Sequence, residues 1–387
     1  MKAPPEALLA LRGQGTDAID TPALVVDLDA MDRNIQRMVD FSAKHQIQWR
    51  PHAKMHKSAE LARLLISAGA TGCCVQKTSE AETLAAGGVN DIYISNQVIA
   101  PAKLARVAVL AQTLAARGGW LTLAVDSALG IERLDQALAH SSARVRVLVE
   151  IDVGQGRCGV APGEAAVALV RDIKSRPRLQ FGGLHAYHGG AQHLRGASER
   201  RQAIANAVQA VNRSCEALQN AGFQIPLITG AGTGTLVLEA ASGLYGELQA
   251  GSFLFMDADY ALNERDPAQP QFEHALFVKT QVISTRHSHA VCDAGHKSHA
   301  VDSGMPRVHT PPGAEPLVFS NGGDEHGLLT TVRPAAALPV VGQTLWLIPG
   351  HCDPTVNLHD HLVGVRGGLE QGMVERIITV DARGALT

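Results

Sequence analysis

From about residue 45 to about residue 255 the chain alternates between two textures. Short runs of β-branched and other apolar residues end in polar or glycine positions. Ala/Leu-rich stretches with apolar residues at helical spacing follow them. The runs are WRPHAK (49–54), GCCVQK (72–77), DIYISN (91–96), WLTLAVD (120–126), VRVLVEID (145–152), FGGLHAYH (181–188), PLITGAG (226–232) and ELQAGS (247–252). SAELARLLISAGA and ERRQAIANAVQAVNRSCEALQNAG are typical of the helical stretches between them. Eight strand–helix alternations predict an α/β fold built on a (β/α)8 TIM barrel, with a doubly wound open sheet as the alternative that the pattern leaves.

After about residue 270 the texture changes. ALFVKTQVIS (275–284), HAVCDAG (289–295), TLWLIPG (344–350), HLVGVRGG (361–368) and MVERIITV (373–380) read as strands separated by Gly, Pro and Asp. TPALVVDL (21–28) is an early strand outside the barrel count. The expected organisation is a barrel over residues 28–262 and a mostly β domain made of residues 1–27 with 263–387.

Composition narrows the function classes. Of 387 residues, 45% are hydrophobic and 18% charged, an ordinary globular balance, and only 4% are aromatic, so the core must be mostly aliphatic. A net charge of −3 argues against a nucleic-acid or membrane-surface partner. The six cysteines contain no CxxC pair and suggest neither a disulfide framework nor a zinc knuckle. MKAPPEALLALRGQG is a poor signal peptide, and no apolar stretch is long enough to span a bilayer, so a cytoplasmic protein is expected.

Chemistry in such barrels sits at the C-terminal ends of the strands. Here those ends carry Lys54, Gln76, Asn96, Asp126, Asp152 with Arg157 just beyond, and Tyr187 and His188 with His193 in the following loop. Strand alternation places Arg50, His52 and Lys54 on one face, although Pro51 argues against a regular strand there. If that face points inward, burial should depress the Lys54 pKa and make its amine a nucleophile for carbonyl groups; a solvated, carboxylate-paired Lys is the alternative. ITGAGTGT (228–235) and the following Gly251–Ser252 occupy the usual phosphate site of this fold, which singles out Gly230, Gly232, Thr233 and Gly234. A reactive Lys with a phosphate cradle suggests pyridoxal 5'-phosphate. In GHCDPTVNLHD (350–360), an extended conformation would put His351 and Asp353 on one side, a candidate two-ligand divalent-metal site with positions open for water and substrate; a chance His-x-Asp spacing is the alternative. His359, Asp360 and His361 are candidate supporting partners. His287, His289, His296 and His299 read as surface residues.

RPHAKMHK (50–57), CCVQKTSEAE (73–82), VEIDVGQGRCGV (149–160), AYHGGAQH (186–193), TGAGTGT (229–235), ELQAGSFLFMDADY (247–260), DEHG (324–327) and GHCDPTVNLHD (350–360) together resemble the D-threonine aldolase group. These are fold-type III pyridoxal-phosphate enzymes, alanine racemase-like and related to 3-hydroxy-D-aspartate aldolase and D-serine dehydratase. The resemblance spans about residues 20 to 384. It implies that Lys54 is the Schiff-base Lys, that Arg157 lies by the pyridine nitrogen, and that the Gly-rich loop holds the phosphate. It also implies that Tyr187 lines the cofactor, that His193 is the base, and that His351 and Asp353 hold Mn2+, or else Mg2+ or Co2+.

A Gly is usual in the family where Ala231 stands, so a methyl could crowd the loop. D-serine dehydratases carry Cys where Asp353 stands, which weakens a dehydratase reading. The implied activity is retro-aldol cleavage of a small-molecule D-3-hydroxy amino acid, by a homodimer on this scaffold. The alternatives are a 3-hydroxy-D-aspartate aldolase, a D-serine or 3-hydroxyaspartate dehydratase, and a non-catalytic pyridoxal-phosphate carrier. Such carriers resemble the isolated barrel, so the β domain argues against the last.

Overall fold

The computed structural model describes residues 4–333 and 336–387. An early strand β1 (Ala23–Asp27) precedes eight short strands: β2 (Gln48–Trp49), β3 (Cys73–Val75), β4 (Asp91–Ile94), β5 (Trp120–Val125), β6 (Val145–Glu150), β7 (Leu179–Ala186), β8 (Ile228–Gly230) and β9 (Glu247–Leu248). These eight form one parallel sheet in the order β2-β9-β8-β7-β6-β5-β4-β3, and each overlaps one of the eight runs read from the sequence, β2 and β7 starting one and two residues before theirs. The two edges of the sheet meet. Thr71 N–H donates to the Trp49 carbonyl at 3.0 Å, Cys74 N–H donates to the Pro51 carbonyl at 3.0 Å, and His52 bridges to Cys74. Pro51 thus serves the closure as an acceptor only, which is why regular pairing stops at Trp49.

The helices form where amphipathic spacing coincides with a cap. Leu28–His45 buries Leu28, Met31, Ile35 and Met38 on one face. Its first turn is held by the Asp27 carboxylate, which accepts from Ala30 N–H at 3.0 Å. Ser58 and Ser127 cap Ala59–Ser67 and Ala128–Ala137 in the same way. The outward sides of the strands and the inward sides of the helices share one aliphatic core. The barrel interior is different. Cys74, Tyr93, Ala124 and Leu148 form a small separate cluster, and beside it runs a buried polar chain. Arg50 donates to Asp91 at 2.5 Å and to Glu247 at 3.0 Å. Glu247 also accepts from Thr229, which accepts from Gln249, whose amide donates to His185 Nδ1 at 3.1 Å.

A second sheet contains β1 with β10 (Leu276–Thr285), β11 (Ala290–Cys292), β12 (Arg307–Val308), β13 (Leu317–Asn321), β14 (Gly327–Thr331), β15 (Thr344–Ile348), β16 (His361–Arg366) and β17 (Met373–Thr379). β1 pairs antiparallel with β10 and parallel with β16, so the early strand lies in this sheet. The loop after β15 is pinned to the barrel rim, with Ala258 N–H donating to Pro349 O and Asp259 N–H to Gly350 O. His299 is not a surface residue. It is fully buried with its ring edge-on to Phe319, 5.1 Å between centroids. No helix among the described residues is long and apolar enough to cross a membrane.

Arg50 is the only cation in the buried chain just described, and removing it would leave the Glu247 carboxylate desolvated. Arg50→Met should therefore cost roughly 3–5 kcal/mol of stability, and Arg50→Met/Glu247→Gln should recover part of it. Urea unfolding of the two variants reads this; equal midpoints for wild type and Arg50→Met would contradict it.

Candidate active site

Lys54 lies one step beyond its expected place. It sits not at a strand end but in the 3-10 turn Ala53–Met55, whose start is held by His52 Nδ1 accepting from Lys54 N–H at 3.3 Å. Its ammonium is 3.0 Å from Asp353 Oδ2. The expected depression of its pKa is also corrected. The Asp353 charge outweighs burial and holds Lys54 above the ordinary Lys value. The carboxylate is held low in return: burial pushes Asp353 up, but Lys54 and His351 overcome that.

Lys54 opens into a cavity of about 300 Å3 at the C-terminal rim of the barrel, against the loop after β15. Gln76, Arg157, Tyr187, His193, His351 and Asp353 all line it. So do Gly232, Thr233, Gly251 and Ser252, whereas Gly230 and Gly234 do not. Gly230 is required by strand packing, since a Cβ there would lie 2.2 Å from Ala186 O. The Gly234 N–H is consumed by Gln192 Oε1 at 3.0 Å. Among the described residues the backbone N–H groups of Gly232, Thr233 and Ser252 have no protein acceptor, leaving donors for an anion such as a phosphate. A Cβ at Gly251 would meet His52 O at 2.5 Å, so this wall is glycine by necessity. Ala231 sits at φ +67°, a left-handed conformation that favours glycine, so its methyl carries backbone strain.

Of the two histidines after β7, only His193 lines the cavity. His188 Nδ1 instead accepts from Ala191 N–H at 3.2 Å and caps the 3-10 turn that carries His193. His193 Nδ1 is 2.6 Å from Asp259 Oδ2, and the other oxygen of Asp259 accepts from Arg195. A carboxylate can only accept, so a hydrogen lies on Nδ1, and in the neutral ring Nε2 is the nitrogen with the lone pair.

His351 and Asp353 do come together, but not through an extended segment. His351 is the N-cap of a short helix, Cys352–Val356, and its Nε2 lies 3.8 Å from Asp353 Oδ1. Cys352 N–H donates to buried Asp257, which fixes this turn against the barrel rim. Asp353 Oδ1 is buried with no hydrogen-bond partner among the described residues. An orphaned carboxylate oxygen facing an imidazole nitrogen across that gap fits an ion bonded to both. Among the described residues no group of three or more His, Cys, Asp or Glu is gathered for a metal, so the remaining positions would fall to water or substrate. Of the supporting partners read from the sequence, His359 Nε2 bonds Ser298 O and Asp360 pairs with Arg383.

The family model described as "Alanine racemase, N-terminal domain" matches residues 26–259, and a serine dehydratase domain matches residues 275–365. A D-threonine aldolase from Arthrobacter sp. is 42% identical over 95% of this chain and 93% of its own length. A 3-hydroxy-D-aspartate aldolase from Paracoccus denitrificans is 40% identical over 97% of this chain and 95% of its own. The crystal structure of D-threonine aldolase from Filomicrobium marinum superposes with a TM-score of 0.92 at 40% identity, covering 97% of this chain and 99% of that one. The chain belongs to the D-threonine aldolase family of fold-type III pyridoxal-phosphate enzymes.

In this family member several cavity residues escaped the sequence reading. His185, Gln249 and Tyr260 line the cavity, as does His52, which strand alternation places on the face of Lys54. Burial holds His185 down at about 3, with Arg157 adding to the effect, so its ring is neutral. A signal was present for His185, which interrupts the mostly apolar end of β7. Asp259 and Arg195 carry no such signal, because their role depends on a loop contact.

Behind the Gly-rich loop, Glu239 accepts from Thr235 at 2.7 Å, and Thr235 accepts from Gln192 at 2.8 Å. The second Glu239 oxygen is buried without a partner among the described residues, and burial pushes its carboxyl from 4.5 up to about 7. The folded chain therefore holds this proton more tightly than the unfolded one. Its contribution to stability falls as pH climbs from about 4.5 to about 7 and is constant above. Glu239→Gln should flatten that window, gaining up to about 3 kcal/mol over wild type at pH 8 relative to pH 4. Denaturant titrations at several pH values check this, and identical slopes in both proteins would contradict it.

Proposed function

We propose that this chain cleaves D-3-hydroxy amino acids by retro-aldol Cα–Cβ scission, converting D-threonine to glycine and acetaldehyde with pyridoxal 5'-phosphate and a divalent metal ion, Mn2+ foremost. The observation that carries this is the convergence of Lys54, the Gly-rich loop and the His351–Asp353 pair on one cavity. Pyridoxal phosphate would supply an electron sink for the charge left on Cα, and the metal ion a positive charge beside the β-hydroxyl. Lys54 would hold the cofactor covalently. The free N–H groups of Gly232, Thr233 and Ser252 would hold its phosphate, while Gln76 and Tyr187 bound it laterally. Arg157, a permanent cation, would stand by the pyridine nitrogen and disfavour its protonation.

His193 would take the β-hydroxyl proton on Nε2. Asp259 keeps the opposite nitrogen protonated and the ring oriented. Arg195 binds the other Asp259 oxygen and holds the carboxylate in place. His351 and Asp353 would hold the metal ion. Cleavage of 3-hydroxy-D-aspartate to glycine and glyoxylate is the second reading, favoured by the nearly equal identity of the Paracoccus relative. Action as a cytoplasmic homodimer belongs to the same proposal and is supported by the scaffold alone.

The test is the purified holoprotein with Mn2+ against D-threonine, D-3-hydroxyaspartate and D-serine, scoring aldehyde plus glycine against keto acid plus ammonia. Acetaldehyde and glycine are expected from D-threonine, with activity lost on chelation and restored by Mn2+. His193→Ala should lower the rate by roughly 10²–10⁴ without releasing the cofactor. Keto acid and ammonia as the main products, or full activity after chelation, would overturn the corresponding part.

A further inference from the structure

His351 makes a contact on the side away from Asp353 that neither the reaction nor the ligand pair uses. Its Nδ1 lies 2.7 Å from Asp302 Oδ2. Asp302 comes from the long connection between β11 and β12, remote in sequence from the 350–360 segment, and its side chain is half exposed. Ser303 Oγ approaches the same nitrogen at 3.4 Å and donates to Asp302 Oδ2 at 3.2 Å, so the carboxylate is itself steadied. A carboxylate offers no hydrogen, so the hydrogen between the two groups lies on Nδ1. That leaves Nε2 as the coordinating nitrogen, and Nε2 is the atom that faces the orphaned Asp353 Oδ1 at 3.8 Å. Without Asp302 the ring could rotate or exchange its hydrogen to Nε2, and either change removes a ligand from the pair.

We propose that Asp302 is a positioning residue for the divalent-ion site, holding the His351 ring and its Nδ1 hydrogen so that Nε2 is presented to the ion together with Asp353. This rests on the metal reading given above. A carboxylate behind a ligating imidazole also raises its basicity, and losing such a partner typically weakens metal binding by roughly 10–100-fold. Asp302 does not itself line the cavity and reaches it only through His351, so its effect should fall on the ion.

The experiment is Mn2+ titration of chelator-treated holoprotein, following free Mn2+ by electron paramagnetic resonance, for wild type, Asp302→Ala, Asp302→Asn and His351→Ala. The cofactor absorbance and melting temperature are recorded for each. Wild type should bind Mn2+ and His351→Ala should not. Asp302→Ala should bind at least about tenfold more weakly. Asp302→Asn, which can still accept a hydrogen bond but carries no charge, should fall between wild type and Asp302→Ala. Cofactor absorbance and melting temperature should be unchanged in both Asp302 variants, as the half-exposed loop position allows. Wild-type affinity in Asp302→Ala overturns the proposal. An equal loss of Mn2+ and cofactor in both Asp302 variants also overturns it, because that marks a general structural role. Failure of wild type itself to bind Mn2+ overturns the metal reading rather than the role of Asp302.

Discussion

The ion pair between Lys54 and Asp353 is the point on which the site turns. Lys54 comes from the first barrel loop and Asp353 from the segment after β15, so the contact exists only because the second sheet delivers its chain to the open rim of the barrel. The hydrogen bonds from residues 258 and 259 to residues 349 and 350 make that delivery rigid. Opposite charges on the two groups keep a half-exposed amine and a buried carboxylate in one place. An incoming cofactor and an incoming cation would each take one partner. In the proposed holoprotein the Lys54–Asp353 contact would thus give way at both ends of the cavity.

Beneath it, the barrel interior supplies stiffness of a different kind. The chain from Asp91 and Arg50 through Glu247, Thr229 and Gln249 to His185 runs from the barrel floor to the cavity wall, with its inner members buried and bonded. Hydrogen bonds in such surroundings tolerate little displacement, because each broken one strands a desolvated polar group. Above it, two imidazoles are held from behind by carboxylates, His193 by Asp259 and His351 by Asp302. The charge balance differs. Asp259 is shared with Arg195, while Asp302 accepts from Ser303 and pairs with no Arg or Lys among the described residues; under the proposed function one ring would move a proton and the other hold a cation.

The barrel was legible because eight apolar runs with helical stretches between them have few other solutions. Lys54, Arg157, Tyr187, His193 and the Gly-rich loop were legible because polar residues at strand ends stand out. The His351–Asp353 pair was found for an incorrect reason: extended alternation was assumed, but a helix start brings the two together. The direction of the Lys54 pKa was misread because its partner lies almost a whole chain away, and local burial was the only term in view. His185 could have been found as a polar interruption of an apolar strand. Asp259 and Asp302 could not, since nothing in their spacing encodes a loop-to-loop contact. Gly230 and Gly234 were drawn in by a glycine pattern that serves close packing and an internal hydrogen bond as well as an anion.

If pyridoxal phosphate is bound to Lys54, borohydride reduction of the holoprotein followed by proteolysis and mass mapping should leave a phosphopyridoxyl group on the peptide containing Lys54 and none elsewhere. Lys57 is the instructive competitor, three residues away but locked to Glu80 at 2.7 Å in a buried pair outside the cavity. A label on Lys57 or Lys77, or no label on a protein that retains its cofactor, would contradict the account.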